Sequence, residues 1–433
     1  MLHKTKNNMA KLKVINSVKS IFLVIPVLFL FSCRPNPASQ WRGPERNGIF
    51  HETGLLQEWP ENGPELLWRY DSLMMGHSSP VVTDDAIYIT GMPDSTSGYL
   101  FCLSHRGELL WKELYGEEYK TSYTGSRATP AVAGNLLYLE SGFGEVICFD
   151  LKTRNKSWSF QMKENFGVDP VNYGNAESLL IHKNKLFCTP GGKDQSIVCL
   201  DRFSGDIIWK AEGTGENASY SSPIFVEHGG QEMIVAVLEN SIIGVDAQSG
   251  QILWTAPFVA VYINHANTPI YHDGMIYMSG EAGEGKGGVI ALELSPDGKQ
   301  AFVKWQRTDI PSHLSGMIVQ NNALYTCGGR REPWHCLNTQ TGETIYTWDD
   351  YQYGNISFAD KRFYILVNLG EVLLCEGNAQ EFNVISRFKT GINIYDPYFA
   401  PLWAFPVIYN KKLYIRHQET LFVYNIAEGK NST

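Results

Sequence analysis

None of the eight cysteines stands in a Cys-x-x-Cys spacing, which argues against a thiolate zinc site and, with Cys-x-x-Cys-His also absent, against covalent haem. No two cysteines are adjacent. There is no Gly-x-Ser-x-Gly elbow, and the Gly-rich run Gly280 to Gly288 lacks the Gly-Lys-Ser/Thr ending of a phosphate loop. Basic residues are in deficit, 36 against 45 acidic ones for a net charge of −9, so nucleic acid and anionic lipid are poor partners. Sustained 3.6-residue periodicity and helix caps are nearly absent. No apolar run is long enough to span a bilayer as a helix, since Ile21 to Phe31 is short and broken by Pro26.

What the N-terminus does contain reads as a processing signal. Lys4, Lys6, Lys11, Lys13 and Lys19 precede the apolar run, which ends in Leu30-Phe31-Ser32-Cys33 and a polar stretch. This resembles a bacterial lipobox, which implies lipidation at Cys33 and anchorage at a membrane surface without a spanning helix. The alternative is an ordinary signal peptide or uncleaved anchor with an incidental cysteine. Removing residues 1–32 would remove five Lys and no acid, making the mature chain still more acidic. The expected organisation is a signal peptide over 1–32, a lipid-anchor tether and lead-in over 33–63, a repeat domain over 64–427 and a tail over 428–433. The protein is expected to be exported, as a periplasmic or outer-membrane-associated lipoprotein, and monomeric.

The body is all-β: short Val/Ile/Tyr/Leu/Phe runs separated by Gly, Asn and Asp turns. It repeats eight times. The repeats start at His77-Ser-Ser-Pro80, Arg127-Ala-Thr-Pro130, Ala176-Glu-Ser-Leu179, Tyr220-Ser-Ser-Pro223, Ala266-Asn-Thr-Pro269, Leu314-Ser-Gly-Met317, Gly354-Asn-Ile-Ser357 and Trp403-Ala-Phe-Pro406. The spacing is about 40–50 residues, the period of a propeller blade. Each start continues through a strand with Tyr or Phe (Tyr88, Tyr138, Phe187, Tyr277, Tyr325), a third apolar strand, and a turn into a strand ending in Trp (Trp111, Trp158, Trp209, Trp254, Trp305, Trp348). The eighth repeat stops after three strands, and Pro64 to Trp68 supplies the missing fourth. The expected fold is therefore a single eight-bladed β-propeller of four-stranded blades, its ring closed by an N-terminal strand that hides a sheet edge.

The Asp-x-x-x-Gly-x-x-x-Trp pattern, as Asp201 to Trp209 and Asp246 to Trp254, resembles the repeat of pyrroloquinoline-quinone-type propellers. The opening Gln40-Trp-Arg-Gly-Pro-Glu-Arg-Asn-Gly48 is similar to the lead-in of bacterial quinoprotein-like propeller proteins. The resemblance spans about residues 40–427. The superfamily holds both dehydrogenases and non-enzymatic scaffolds, among them the propeller lipoprotein of the outer-membrane β-barrel assembly machinery, so it fixes the fold more firmly than the activity. Quinone-dependent alcohol dehydrogenases of this kind carry an adjacent Cys-Cys pair, and an acidic base beside a calcium held by carboxylate and amide. The pair is missing here and the constellation cannot be placed, so bound quinone is not expected and no cofactor is assigned.

The repeat Trp residues are expected to pack between blades. Cys102, Cys148, Cys199 and Cys336 share a third-strand register, which a buried small apolar position explains. Cys188 with Cys199, and Cys327 with Cys336, lie on adjacent strands, and disulfides there stay open. Strand topology separates two faces. One carries tight turns. The other collects the blade leads and long linkers, and forms a funnel ringed by His77, Arg127, Tyr173, Asn175, Glu177, Tyr220, His265, Asn267, His313, Arg330, Asn355 and Trp403. His77 and His265 lie nearly across the ring, so no three-His metal site is expected with His313. Two functions remain: a scaffold binding an envelope protein or small polar ligand at the funnel, or a quinone- or metal-dependent oxidoreductase or sugar-active enzyme using the same funnel. A carbohydrate-retaining surface module is a third. Glycosidic carboxylate pairs cannot be read from sequence.

Overall fold

The computed structural model describes residues 39–93, 95–262, 265–312, 314–329, 332–351, 353–367, 370–378, 380–391 and 402–429. Eight antiparallel four-stranded units form the blades. Their innermost strands are Val81–Val82, Ala131–Ala133, Leu180–His182, Ile224–His228, Ile270–His272, Met317–Gln320, Gly354–Ala359 and Val407–Tyr409. One short helix, Met162–Phe166, occurs among the described residues. The ring closes as the repeat count requires: Glu65–Tyr70 pairs antiparallel with Thr420–Asn425, with Trp68 opposite Val423. The two ends of the chain thus share one sheet, and no blade is left with three strands.

The repeat signature has a mechanical reading. In the third-to-fourth-strand turn, the Asp201 carboxylate accepts the amides of Phe203 and Ser204 at 2.9 and 3.0 Å, and Asp246 does the same for Gln248 and Ser249. This local turn chemistry fixes the hairpin. Its glycine lies under the tryptophan of the preceding blade. Trp158 Nε1 donates to the Arg202 carbonyl at 3.2 Å, Trp209 to Ala247, Trp305 to Thr339, and Trp68 to His105 across the closure. At Gly107, Gly205, Gly250 and Gly342, φ lies between 71° and 82°, and a Cβ would come within 2.6–2.7 Å of that indole. All eight outer-strand pairings carry a register irregularity, which twists the edge.

Cys102, Cys148, Cys199 and Cys336 are buried within third strands. Cys199 stands opposite Phe187 while Cys188 stands opposite Val198. One residue of offset puts the two thiols on opposite faces, in separate packing clusters, so this pair is not bridged. Cys336 is likewise a thiol, opposite Tyr325, with Cys327 opposite Trp334.

Gly205→Ala should lower stability by about 1–3 kcal/mol, combining left-handed strain with collision against Trp158. Gly215→Ala, with φ of 81° but open space around its Cβ, should cost only the backbone part, about 1 kcal/mol. Equal midpoints in parallel denaturant titrations would remove the docking argument.

Candidate functional site

The innermost strand of each blade has a neighbour on one side only, so its other edge turns unpaired peptide groups toward the axis. The lead-in segment answers many of them. Ser39 forms a bridge with Val132 of blade two. The Gln40 side chain accepts Ile181 N–H at 3.1 Å and donates to the Ile181 carbonyl, imitating a strand beside blade three. Arg46 donates to the carbonyls of Ser178 and Leu179 at 2.6 and 3.1 Å. Trp41 donates to Thr268 of blade five and packs edge-on to Phe405 of blade eight. Arg42 donates to the Met317 carbonyl of blade six and lies over the Phe405 ring. Ile49–Phe50 then runs parallel to the innermost strand of blade seven. Residues 39–50 therefore cross the axis and touch six blades, so they are part of the ring and not a tether beside it.

The leads themselves form a belt. Ser79 N–H donates to Thr129 Oγ1, Thr129 N–H to Ser178 Oγ, and Ser178 N–H to Ser222 Oγ, each at 2.9–3.0 Å. Phe405 N–H donates to Ser79 Oγ, joining blade eight to blade one. The recurrent Ser/Thr before Pro is thus a blade-to-blade fastener. The amide groups of two funnel residues serve similarly. Asn267 donates to Ser279 Oγ and the Ser312 carbonyl and accepts Gly316 N–H. Asn355 donates to the carbonyls of Leu402 and Ala404.

The remaining funnel residues fall into separate groups. His77 is buried against Trp403 with ring centroids 4.4 Å apart, and Trp403 also meets Tyr123. Burial, then the charges of Arg127 and Arg416, pull the His77 pKa down to about 3, so it is neutral. His265 is buried beside Phe258, contacts the Glu239 carbonyl at 3.1 Å, and is drawn to about 4 by burial. Tyr173 is 42% exposed, and its N–H donates to the Tyr220 hydroxyl. Arg127 lies over the Tyr119 ring and donates to the carbonyls of Ser122 and Tyr123. His313, Arg330 and Cys33 lie outside the described residues. The structure joins Arg127, Tyr173, Asn175, Glu177 and Tyr220 across blades two to four. His265, Asn267 and Asn355 stand apart from them.

Around the first of these groups lies a chain of buried charge of which sequence reading names only Glu177. Glu118, Glu140 and Glu177 are 1%, 2% and 4% exposed. The Tyr115 hydroxyl donates to Glu118, the Asn175 amide to Glu140, and Thr189 N–H to Glu177 at 3.0 Å. Glu140 Oε2 and Glu177 Oε1 are buried without a partner, and the Glu118 carboxyl is also approached by the backbone N–H groups of Tyr119 and Gly142. Burial raises the pKa of all three, Glu118 to about 7, with Tyr115 and Arg127 opposing the rise. Glu118 raises Glu140, and Glu140 raises Glu177, while Arg46 opposes the latter. Glu140 was detectable in principle, since it ends the apolar strand Leu136–Glu140. Nothing local marked Glu118 or Arg46.

An eight-bladed ring with docked tryptophans and a funnel on its lead-in face defines a quinoprotein-like propeller. The chain belongs to the family described as outer membrane protein assembly factor BamB, which it matches over residues 54–348. BamB from Moraxella catarrhalis superposes with a TM-score of 0.59 at 14% identity, covering 84% of this chain and 99% of that one. A quinohemoprotein alcohol dehydrogenase from Comamonas testosteroni gives 0.64 at 10% identity, covering 92% and 82%. In sequence, a quinoprotein ethanol dehydrogenase from Pseudomonas aeruginosa is 24% identical over 36% of this chain and 26% of its own length. Quinoprotein alcohol dehydrogenase PedH from Pseudomonas putida is 22% identical over 55% and 38%. The chain thus spans well under half the length of these curated relatives.

The dehydrogenase relatives raise the question of a calcium-held quinone. Its metal requires carboxylate and amide oxygens together. Here the Asn267 amide is engaged at both ends, while Asn355 donates its nitrogen into blade eight and keeps a buried Oδ1 without a partner. Arg42 and Arg46 bring two buried cations to the axis. Among the described residues no His, Cys, Asp and Glu group is placed to hold a metal ion, so no metal-held quinone is assigned to these residues.

Arg46→Lys retains charge but loses the fork that spans two carbonyls. It should destabilise the protein by about 1–3 kcal/mol, whereas Arg69→Lys, on an exposed ion pair, should change little. Thermal unfolding of both variants checks this, and an unchanged Arg46→Lys midpoint would show that the axial segment is not a fastener.

Proposed function

We propose that the chain is a lipid-anchored, exported propeller that acts as a binding scaffold in the cell envelope through its funnel face. The observation that carries this reading is the division of labour at that face. Its inward polar groups are largely committed to holding blades together, while its loops offer apolar and aromatic surface outward. Tyr173, Val259, Val261 and Tyr262 are 42%, 42%, 40% and 60% exposed. The strip around Val259 is held in place by Gly287 N–H donating to the Val259 carbonyl at 2.8 Å, which pins the linker to the blade-five hairpin. A fixed, partly apolar rim suits recognition of another protein better than chemistry on a small molecule. Membership of the BamB family supports the same reading.

A photo-crosslinking residue at Tyr173, Val261 or Tyr262 should yield a discrete adduct with an envelope protein in living cells. The same residue at Leu110 or Phe302, exposed on outer strands, should not. Adducts from the perimeter alone would move the binding surface elsewhere. For the anchor, labelled fatty acid should enter the wild-type chain and not Cys33→Ala, which should partition into the soluble fraction; equal labelling of both would remove the lipid from the proposal.

A further inference from the structure

The carboxyl chain is not explained by scaffolding. Burying an oxygen without a partner is costly, and here Glu140 Oε2 and Glu177 Oε1 are such oxygens on neighbouring, mutually repelling groups, while Glu118, next along, is met by the backbone N–H groups of Tyr119 and Gly142. One further buried atom beside them, Arg46 Nε, is also without a partner. Among the described residues no group of His, Cys, Asp and Glu is placed to hold a metal ion. The charge count points to a different occupant. The fixed cations acting on the chain are Arg127, on Glu118, and Arg46, on Glu177. Three ionised carboxylates against two guanidiniums leave one buried negative charge, which the low-dielectric interior disfavours. One proton removes it and also turns one unpartnered acceptor into an O–H donor for the next.

We propose that Glu118, Glu140 and Glu177 form a proton-binding site that holds one shared proton near neutral pH and passes its state to the funnel rim through Arg127. The proton comes from solvent, sits on a carboxyl oxygen and hydrogen-bonds to a neighbouring carboxylate directly or through a water. On its loss it returns to solvent, with no other bond changed. The path to the rim is short. Glu118 belongs to the linker between blades one and two, as do Ser122 and Tyr123, whose carbonyls Arg127 holds. Tyr123 packs on Trp403, and Trp403 on His77. Ionised Glu118 attracts Arg127, and protonated Glu118 releases it. The other groups facing the chain are Tyr115 and Tyr119 beside Glu118 and Arg127, Asn175 at Glu140, Thr189 at Glu177, and Cys188 near both Glu140 and Glu177. Arg416 reaches it only through Tyr115. Burial holds the Tyr115 and Cys188 pKa values well above their ordinary range, so neither ionises with the carboxyls.

The sign follows from folded pKa values raised above the unfolded ones. The stabilisation is complete below about pH 4.5 and is lost as pH rises through about 7 and beyond. The test uses the purified mature chain between about pH 5.5 and about pH 9. Infrared difference spectra should show one protonated-carboxyl band at the acid end that disappears at the alkaline end. Hydrogen exchange of residues 116–126, corrected for intrinsic rate, should change with the same midpoint. Glu118→Gln should abolish the exchange midpoint. Glu140→Gln should unfold at a higher temperature than wild type at the alkaline end, with the difference shrinking steadily toward the acid end. Absence of the carboxyl band overturns the site. A band with pH-independent exchange overturns the transmission to the rim. If Glu118→Gln does not fold, the wild-type band and the Glu140→Gln stability difference still decide the proton site.

Discussion

A ring of sheets leaves a hole on its axis, and the walls of that hole are strand edges. Eight innermost strands each present, on the edge away from their own blade, peptide groups that the blade cannot pair. A sheet edge facing water is tolerable, but an edge in a narrow shaft is not easily hydrated. The chain meets this constraint with its own lead-in. Gln40 copies a peptide group beside Ile181, Ile49–Phe50 adds a short parallel strand to blade seven, Arg46 donates through both Nη atoms to two carbonyls, and Arg42 donates through Nη2 to the Met317 carbonyl. Guanidinium suits this task because one planar group reaches two acceptors at once. Arg416, from the blade-eight strand Lys412–His417, does the same for Ser78 and Thr90. Even with burial drawing each of these arginines down to about 9, they stay charged at neutral pH.

The polarity of the funnel follows from that choice. Cations placed on the axis to satisfy carbonyls require counter-charge nearby, and Glu177 acts on Arg46 from the lead of blade three. Glu140 and Glu118 extend the acidic chain outward to Arg127. Polar residues at the mouth are therefore of two kinds. Some fasten one blade to the next, as Asn267, Asn355 and the serine belt do. Others balance the axis. Among the described linker residues, Tyr173, Val261 and Tyr262 expose aromatic and aliphatic surface, and the binding reading rests on them and not on the buried His77 and His265.

The repeat was legible because it is local. Asp201, Gly205 and Trp209 act within one turn and one neighbouring blade, so their spacing is a direct image of the geometry, and the closing strand around Trp68 could be placed by counting. The interior of the site was not legible, because it is built from residues far apart in sequence. Arg46 meets Ser178 across 132 positions, and Arg42 meets Met317 across 275. No window contains both partners. The funnel list contained Asn175 and Glu177 because they stand at blade leads, but a position at the mouth does not say whether a side chain points to solvent or into a seam. Asn267 points into a seam. Glu118, inside a linker read only as long, carries the chemistry.

The relatives sharpen what the axis implies. Structures under one-sixth identical to this chain share its ring at TM-scores of 0.59 and 0.64, so blade packing survives almost complete replacement of side chains. What such a ring does is then decided by how its axis and mouth are filled. The axis is crossed by the chain's own Trp41, Arg42 and Arg46, which bind blades three, five and six to one another. At the mouth, the linkers expose apolar groups such as Tyr173, Val261 and Tyr262 beside polar ones such as Lys120 and Asn172, above the buried carboxyls. Such a surface can take a partner's apolar side chains at the rim while its affinity follows the protonation of the carboxyls beneath, because the linker that carries Glu118 also shapes the rim. Binding and pH sensing would then be two readings of one loop, fixed at its base by the same axial arginines that close the ring.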